Sequence, residues 1–278
     1  VYNVRTTLLE KFRRFHVADD SNPWDNEQSL FETLAGTFAG NDKTRIGTAF
    51  HKLVELGRPE YTIHKQDDKG IVTIYHVAEG FAFTEEQARV AYSHREKHPY
   101  MISEVAIGKV YETPYGPFYV SGHTDGVDGV VIRDTKTKFS AVESQGYLDS
   151  YQWRIYLDIL GLKQFYYDVF EVRSFPKEGI DAAREIEIDG EKKFIFFIDK
   201  LRFQAPIDIS CFAYPDMKRD IYQLLCAFAE WIQDRRYWGF LKQCHADGTA
   251  ITTAATGTEA GATKTQTAVA ASTAALPT

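Results

Sequence analysis

Two β-rich runs, 118–127 and 130–136, meet at Asp128-Gly129, and this junction constrains the chain more than any other stretch. An Asp-Gly pair between such runs is a strong signal for a two-residue hairpin turn. With Val127 and Val130 closing the turn, Asp125 lies opposite Ile132, and Asp134 is its diagonal neighbour. Side chains alternate along a strand, so Asp125, Asp134 and Lys136 share one face. Diagonal neighbours sit roughly 7–8 Å apart at the backbone. Two carboxylates reaching toward each other can share one cation, and Lys136 points at the same spot.

That set suits phosphodiester hydrolysis. A cation neutralises phosphate charge and acidifies a bound water, which becomes the nucleophile. A nearby lysine orients that water or stabilises the developing negative charge. Oxygen ligands favour Mg²⁺ or Mn²⁺ over softer metals. An Asp-x-Lys triplet alone arises by chance about once in a chain of this size. Acids and a lysine on one hairpin face are more often a solvated surface, so the weight rests on the surroundings.

The periodicity predicts helices over 4–15, 26–38 and 42–56, the last ended by Gly57 and Pro59. Runs 61–65 and 71–78 flank Asp67-Asp68-Lys69-Gly70 as a hairpin. Thr84 with Gln87 forms a capping-box signature for a helix to about Lys97. Strands over 102–112, 118–127 and 130–136 precede a helix over 144–160, ended by Gly161. A buried strand over 165–172, a hairpin of 184–188 with 193–198, and a long helix over 216–241 complete the body. Helices first, then strands interrupted by a helix, give a mixed α/β class. Residues 1–245 read as one domain. From 246 to 278 the chain is almost all Ala, Thr and Gly, which predicts a disordered tail.

The hydrophobic content of 44% suits a soluble globular protein, and 19 Phe and 16 Tyr supply bulk for its core. The net charge of -7 argues against a broad electrostatic grip on nucleic acid but leaves room for a local basic groove. Cys211, Cys226 and Cys244 include no Cys-x-x-Cys pair, which disfavours structural zinc or an iron–sulfur cluster and suits a reducing cytosol. No apolar run approaches the ~18 residues of a membrane span. Residues 1–15 lack the continuous apolar centre of a signal peptide. The chain opens on Val rather than Met, which allows for residues upstream.

The order His51, Gly122-x-x-Asp125, Asp134-x-Lys136, Gln152-x-x-x-Tyr156 resembles the RecB-like branch of the PD-(D/E)XK nuclease superfamily. The likeness spans about residues 6–172 and opens with Thr7-x-Leu9-x-x-Phe12-x-x-Phe15, similar to that family's first helix. It implies a PD-(D/E)XK core, a mixed central sheet flanked by helices. It also implies Asp125 and Asp134 as metal ligands, the Thr135 carbonyl as a third oxygen, and Lys136 as the catalytic lysine. Gln152 and Tyr156 share a helix face by their spacing, and in the family such a pair lines the site and contacts DNA or orients the lysine. His51, within Gly47-x-x-x-His51-x-x-x-Glu55, would be an additional ligand. His123 is its rival, because it lies opposite Asp134 in the register above; the family order favours His51. Glu104 resembles a family acid near the site. Arg45, Lys138 and Arg154 are candidates for phosphate contact.

The cysteines that hold the iron–sulfur cluster of some relatives are absent, and there is no Gly-x-x-x-x-Gly-Lys-Ser/Thr loop for ATP. The resemblance therefore implies a stand-alone Mg²⁺- or Mn²⁺-dependent deoxyribonuclease. The expected layout is that of phage or prophage exonucleases of recombination and repair, acting on DNA ends in the cytoplasm of a bacterial host. A homo-oligomer and a single-strand annealing protein are the partners such a role would bring, and no membrane is involved. An endonuclease of the same fold, and a catalytically silent DNA-binding or scaffold protein, are the rival expectations.

Overall fold

Strand β6 (Phe118–Asp128) organises the architecture, because its two edges are used differently in the computed structural model, which describes residues 1–18, 25–37, 40–66 and 68–249. One edge pairs antiparallel with β5 (Ile102–Tyr111) from Tyr111↔Phe118 to Ile102↔Val127. The other edge is shared. Residues 118–121 pair parallel with β1 (Tyr2–Arg5), and 126–128 pair antiparallel with β7 (Val131–Lys138). Residues 122–125 therefore face a fork where β1 and β7 diverge.

The sheet continues from β7 to a parallel neighbour, β8 (Gln164–Arg173). The far edge of β8 takes β12 (Ile207–Phe212) and β11 (Arg202–Phe203), while β13 (Lys242–Gln243) closes the other side against β1. These make an eight-stranded mixed sheet. A second, five-stranded sheet runs in the order β2 (Tyr61–Gln66), β3 (Val72–Ala78), β4 (Phe81–Thr84), β10 (Glu191–Phe197), β9 (Arg184–Ile188).

Alternation along β8 explains the layering. Phe165, Tyr167 and Val169 pack in one core with α1 (Thr6–Val17), α6 (Gln152–Leu160) and α7 (Met217–Arg235), through Leu9, Phe12, Tyr156 and Phe228. Phe170 and Val172 join a second core with α3 (Asp42–Leu56), α4 (Glu85–Lys97) and β4, through Phe50, Leu53 and Ala88. Helices thus cover both faces of the large sheet. Among the described residues no helix is long and apolar enough to cross a membrane.

Local chemistry sets the helix that bears His51. The Asn41 side chain accepts from the Thr44 amide, and Gly57 ends α3 in the left-handed conformation that glycine adopts without a Cβ clash. At α4 the capping box is complete, and buried Gln87 also donates to the carbonyls of Ile198 and Leu201.

Several sequence expectations change. Val4 belongs to β1, not to a helix, because its strand pairs with β6. The β6–β7 hairpin pairs Asp128 with Val131, so the turn is Gly129-Val130 rather than Asp128-Gly129. Gly129 takes a φ of 62°, suiting a turn with glycine first, whereas Asp128 has no positive φ. Extending this register places Asp125 directly across from Asp134. The shift is two residues, so every side chain keeps its face.

The expected helix over 144–160 is two: α5 (Ser144–Leu148) and α6. Between them the Tyr151 amide donates to Glu10 of α1, and Arg154 donates to the carbonyls of Asp149 and Ser150. The last helix ends at Arg235, not 241, where Arg236 turns left-handed (φ 59°) into a short 3₁₀ turn, Tyr237–Phe240. The helix expected over 26–38 is α2 (Glu27–Ala35), capped by Asn26. Its expected end at Phe38, the turn residue Asp67, and 250–278 of the expected tail lie outside the described residues. Asp247 and Thr249, within that expected tail, form a hydrogen-bonded turn.

Candidate active site

The fork at β6 brings the sequence-predicted residues together. Asp125 Oδ2 accepts the Thr135 amide at 2.7 Å, a contact that extends the hairpin by a side chain. Asp134, with 1% of its side chain exposed, ion-pairs through Oδ2 with Lys136 Nζ. Its Oδ1 accepts from Gln152 Nε2 at 3.1 Å. Gln152 Nε2 also lies 3.3 Å from the Tyr156 hydroxyl. That hydroxyl donates to the His123 carbonyl at 2.9 Å and accepts from Thr6 Oγ1 at 3.2 Å. His51 reaches in from α3, its Nδ1 3.8 Å from Asp125 Oδ2. The buried Nε2 of His51 has no hydrogen-bond partner.

Burial and neighbouring charge set the protonation of these groups. Burial pushes Asp134 up to about 6; Lys136 opposes the shift and Asp125 adds to it. Burial raises Asp125 as well, with Lys136 and the Thr135 amide opposing. Burial alone would lower Lys136, but the carboxylates of Asp134 and Asp125 hold it above the ordinary lysine range. Burial and the Lys136 charge lower His51 to about 4, so its imidazole is neutral at pH 7.

Two repelling carboxylates and a neutral imidazole with an orphaned buried nitrogen are a donor set that suits a divalent cation, the carboxylates favouring Mg²⁺ or Mn²⁺ and the imidazole tilting the set toward Mn²⁺. Asp125, Asp134 and His51 would hold it. Among the described residues no group of three or more His, Cys, Asp or Glu side chains converges as a complete cation site. The Lys136–Asp134 pair and the Thr135–Asp125 bond occupy carboxylate oxygens that a cation would take. Thr135 contributes through its amide here; the expectation named its carbonyl.

The remaining candidates fall in different places. His123 enters through its carbonyl, and its side chain is exposed. Glu104 lies across β5 from Asp125, between Ser103↔Gly126 and Val105↔Thr124, and its charge helps raise Asp125. Its φ of 54° is unusual for a non-glycine residue in a strand. Arg45 pairs with Asp42 at 3.6 Å and lies over the Phe81 and Phe196 rings. The Arg154 guanidinium donates to Tyr214, Asp149 and Ser150, so a phosphate would have to compete with those partners. Lys138 lies on β7 two residues past Lys136.

The sequence places Thr6 inside the first expected helix, over 4–15, and gives no sign of its role at the site. Gly122 stands there only as a motif letter, yet the residue has a steric reason to be glycine. A Cβ there would lie 2.7 Å from Thr6 Oγ1 and 2.8 Å from both Cε1 and OH of Tyr156. Gly122→Ala should therefore displace Tyr156 from the His123 carbonyl and cost about 1–3 kcal/mol, the usual range for overpacking. Thermal melts beside Gly146→Ala, whose Cβ meets nothing within 4 Å, check this. Equal melting temperatures for the two variants would contradict it.

No protein-family model and no curated protein matches the chain. A solved structure titled "Crystal structure of SSO0001" is similar over 84% of this chain and 77% of that one, with 11% identity and a TM-score of 0.44. A TM-score of that size carries neither fold nor function.

Proposed function

We propose that this chain is a divalent-metal-dependent deoxyribonuclease of the RecB-like PD-(D/E)XK type, acting as an exonuclease in recombination or repair. The observation that carries the reading is the fork at β6, where Asp125, Asp134, Lys136, Gln152, Tyr156 and His51 gather from four separate elements.

Bound Mg²⁺ or Mn²⁺ would supply charge neutralisation at phosphorus and acidification of water. The chain's residues do the rest. Gln152 fixes the Asp134 carboxylate, and Tyr156 fixes Gln152 against the β6 backbone. Lys136 stays protonated and offers positive charge to the phosphoryl oxygens as negative charge builds there. His51 stays neutral and can donate its lone pair. In the hydrolysis, water oxygen bonds to phosphorus and loses a proton to solvent, and the bond to the 3′-oxygen breaks as that oxygen takes up a proton, leaving 3′-hydroxyl and 5′-phosphate ends.

The acidic balance of the chain favours a second reading, a catalytically silent scaffold protein on the same fold. Cation binding separates the two. Mn²⁺ at 100 times its Kd should stabilise the native state by about 2.7 kcal/mol, and Asp134→Ala should lose that shift. A wild-type melting temperature indifferent to Mg²⁺ and Mn²⁺ would favour the silent protein.

The same groups predict a pH signature in EDTA. Asp134 is raised to about 6, so its contribution is full below 3.8 and is lost as pH rises through 6. His51 is lowered to about 4, so its contribution is present above 6.5 and is lost as pH falls through 4. The two slopes oppose each other. Melting temperatures from pH 4 to 7 should therefore tilt downward with pH in His51→Gln and upward in Asp134→Asn, relative to wild type. Parallel profiles would contradict the assignment of these charges.

A further inference from the structure

A cleft of about 470 Å³ lies where the ends of β7 and β8 meet the start of α3, lined among others by Lys43, Phe139, Glu171, Arg173, Phe175 and Lys177. Its size falls in the roughly 300–1,000 Å³ range of ligand sites, and the chemistry above does not use it. Phe139 and Phe175 meet edge to face, with centroids 5.4 Å apart. The ammonium of exposed Lys43 lies 5.9 and 5.0 Å from those two centroids. Lys177 is exposed, and Glu171 is paired with Arg173 at 2.6 Å, so the one carboxylate lining the cleft is already offset.

The cleft and the candidate active site lie at two ends of one stripe of α3, which is packed against β7 between them. Lys43, Gly47 and His51 recur every four residues, so they form one stripe. Gly47 backs onto β7, where a Cβ would lie 2.6 Å from Thr137 Oγ1, and His51 faces Asp125. From His51 to Lys43 the helix rises about 12 Å, the height of three to four stacked nucleotides at roughly 3.4 Å each.

Resting on the nuclease reading, we propose that this cleft holds single-stranded DNA beside the bond to be cut, one base stacking on the face of Phe175 with Phe139 as its buttress, and its phosphates meeting Lys43 and Lys177. Aromatic faces flanked by cations suit a strand whose bases are unpaired, because a duplex hides its base faces. A base entering the cleft moves the flexible Lys43 side chain off the rings and toward phosphate.

Fluorescence anisotropy with a labelled 12-mer of deoxythymidine, in EDTA to prevent cleavage, tests this on the full chain. Phe175→Ala should weaken binding about ten-fold, and Phe175→Trp should restore it. Lys43→Ala with Lys177→Ala, both surface changes, should lower the slope of log affinity against log salt by about 1.4, at roughly 0.7 per phosphate. Lys242→Ala, at the opposite edge of the large sheet, should leave both unchanged. Wild-type binding that Phe175→Ala and the double variant leave intact would overturn the cleft and spare the nuclease. Wild-type cleavage of DNA without binding of the 12-mer would do the same. Absence of both binding and cleavage in the wild type would overturn both readings.

Discussion

Lys136→Ala is expected to lower the rate of DNA cleavage by about 10²–10³-fold, the usual cost of removing one donor aimed at developing transition-state charge. The ammonium of Lys136 is held against Asp134 and kept protonated by two carboxylates, so it is positioned and charged before substrate arrives. Its loss should fall on kcat more than on KM, because the charge it meets is greatest in the transition state. A second consequence follows for Asp134. Lys136 holds the Asp134 carboxyl down, so its removal lets that group rise further and shifts activity toward higher pH. Kinetics from pH 6 to 9 in Mg²⁺ check both effects. Near-normal cleavage by a folded Lys136→Ala would remove this residue from the chemistry.

The largest stability effect is expected away from the site, at Asp168 of β8. Its side chain has no exposed surface, and it accepts from Arg133 Nη1 at 2.7 Å and lies 3.2 Å from His94 Nε2. Asp168→Ala would leave buried His94 and half-buried Arg133 without their central carboxylate, with Asp208 of β12 as the neighbouring acid on the paired strand. Breaking a buried pair this way costs about 3–5 kcal/mol, because the partner's desolvation is no longer offset. At roughly 2–4 °C per kcal/mol for a chain of this size, the melting temperature should fall by on the order of 10 °C. Asp168→Asn should cost less, since one oxygen can still accept from Arg133. Urea melts resolve the two variants, and a loss under about 1 kcal/mol for Asp168→Ala would mean the cluster relaxes into water.

Legibility in the sequence followed the range of the interactions. Helix α3 was readable to the residue because Asn41, Asp42 and Gly57 act within one turn of its ends. The hairpin was readable as a hairpin, but its register was misread by two. Asp128-Gly129 is the commoner local signal, while the chain uses Gly129 as the first turn residue. The candidate site survived that error because a slip of two preserves the faces. What was illegible depends on distant partners. Strand β1 exists because Tyr2 meets Phe118, and the break before α6 exists because Tyr151 meets Glu10. The fork itself is a property of three strands, so no local pattern announces it. Thr6 enters the site only because β1 delivers the start of α1 to Tyr156. The shared face of Asp125, Asp134 and Lys136, by contrast, needs only the alternation of a strand.

The most direct measurement is the digestion of end-labelled linear duplex DNA beside a covalently closed circle, in Mg²⁺ and in EDTA, by wild type and by Asp134→Ala. The account predicts loss of label from the linear DNA alone, in Mg²⁺ alone and by wild type alone. Nicking of the circle would keep the chemistry and move the enzyme to the endonucleases. Failure of the wild type to cut either DNA, in Mn²⁺ as well as Mg²⁺, would contradict the nuclease reading.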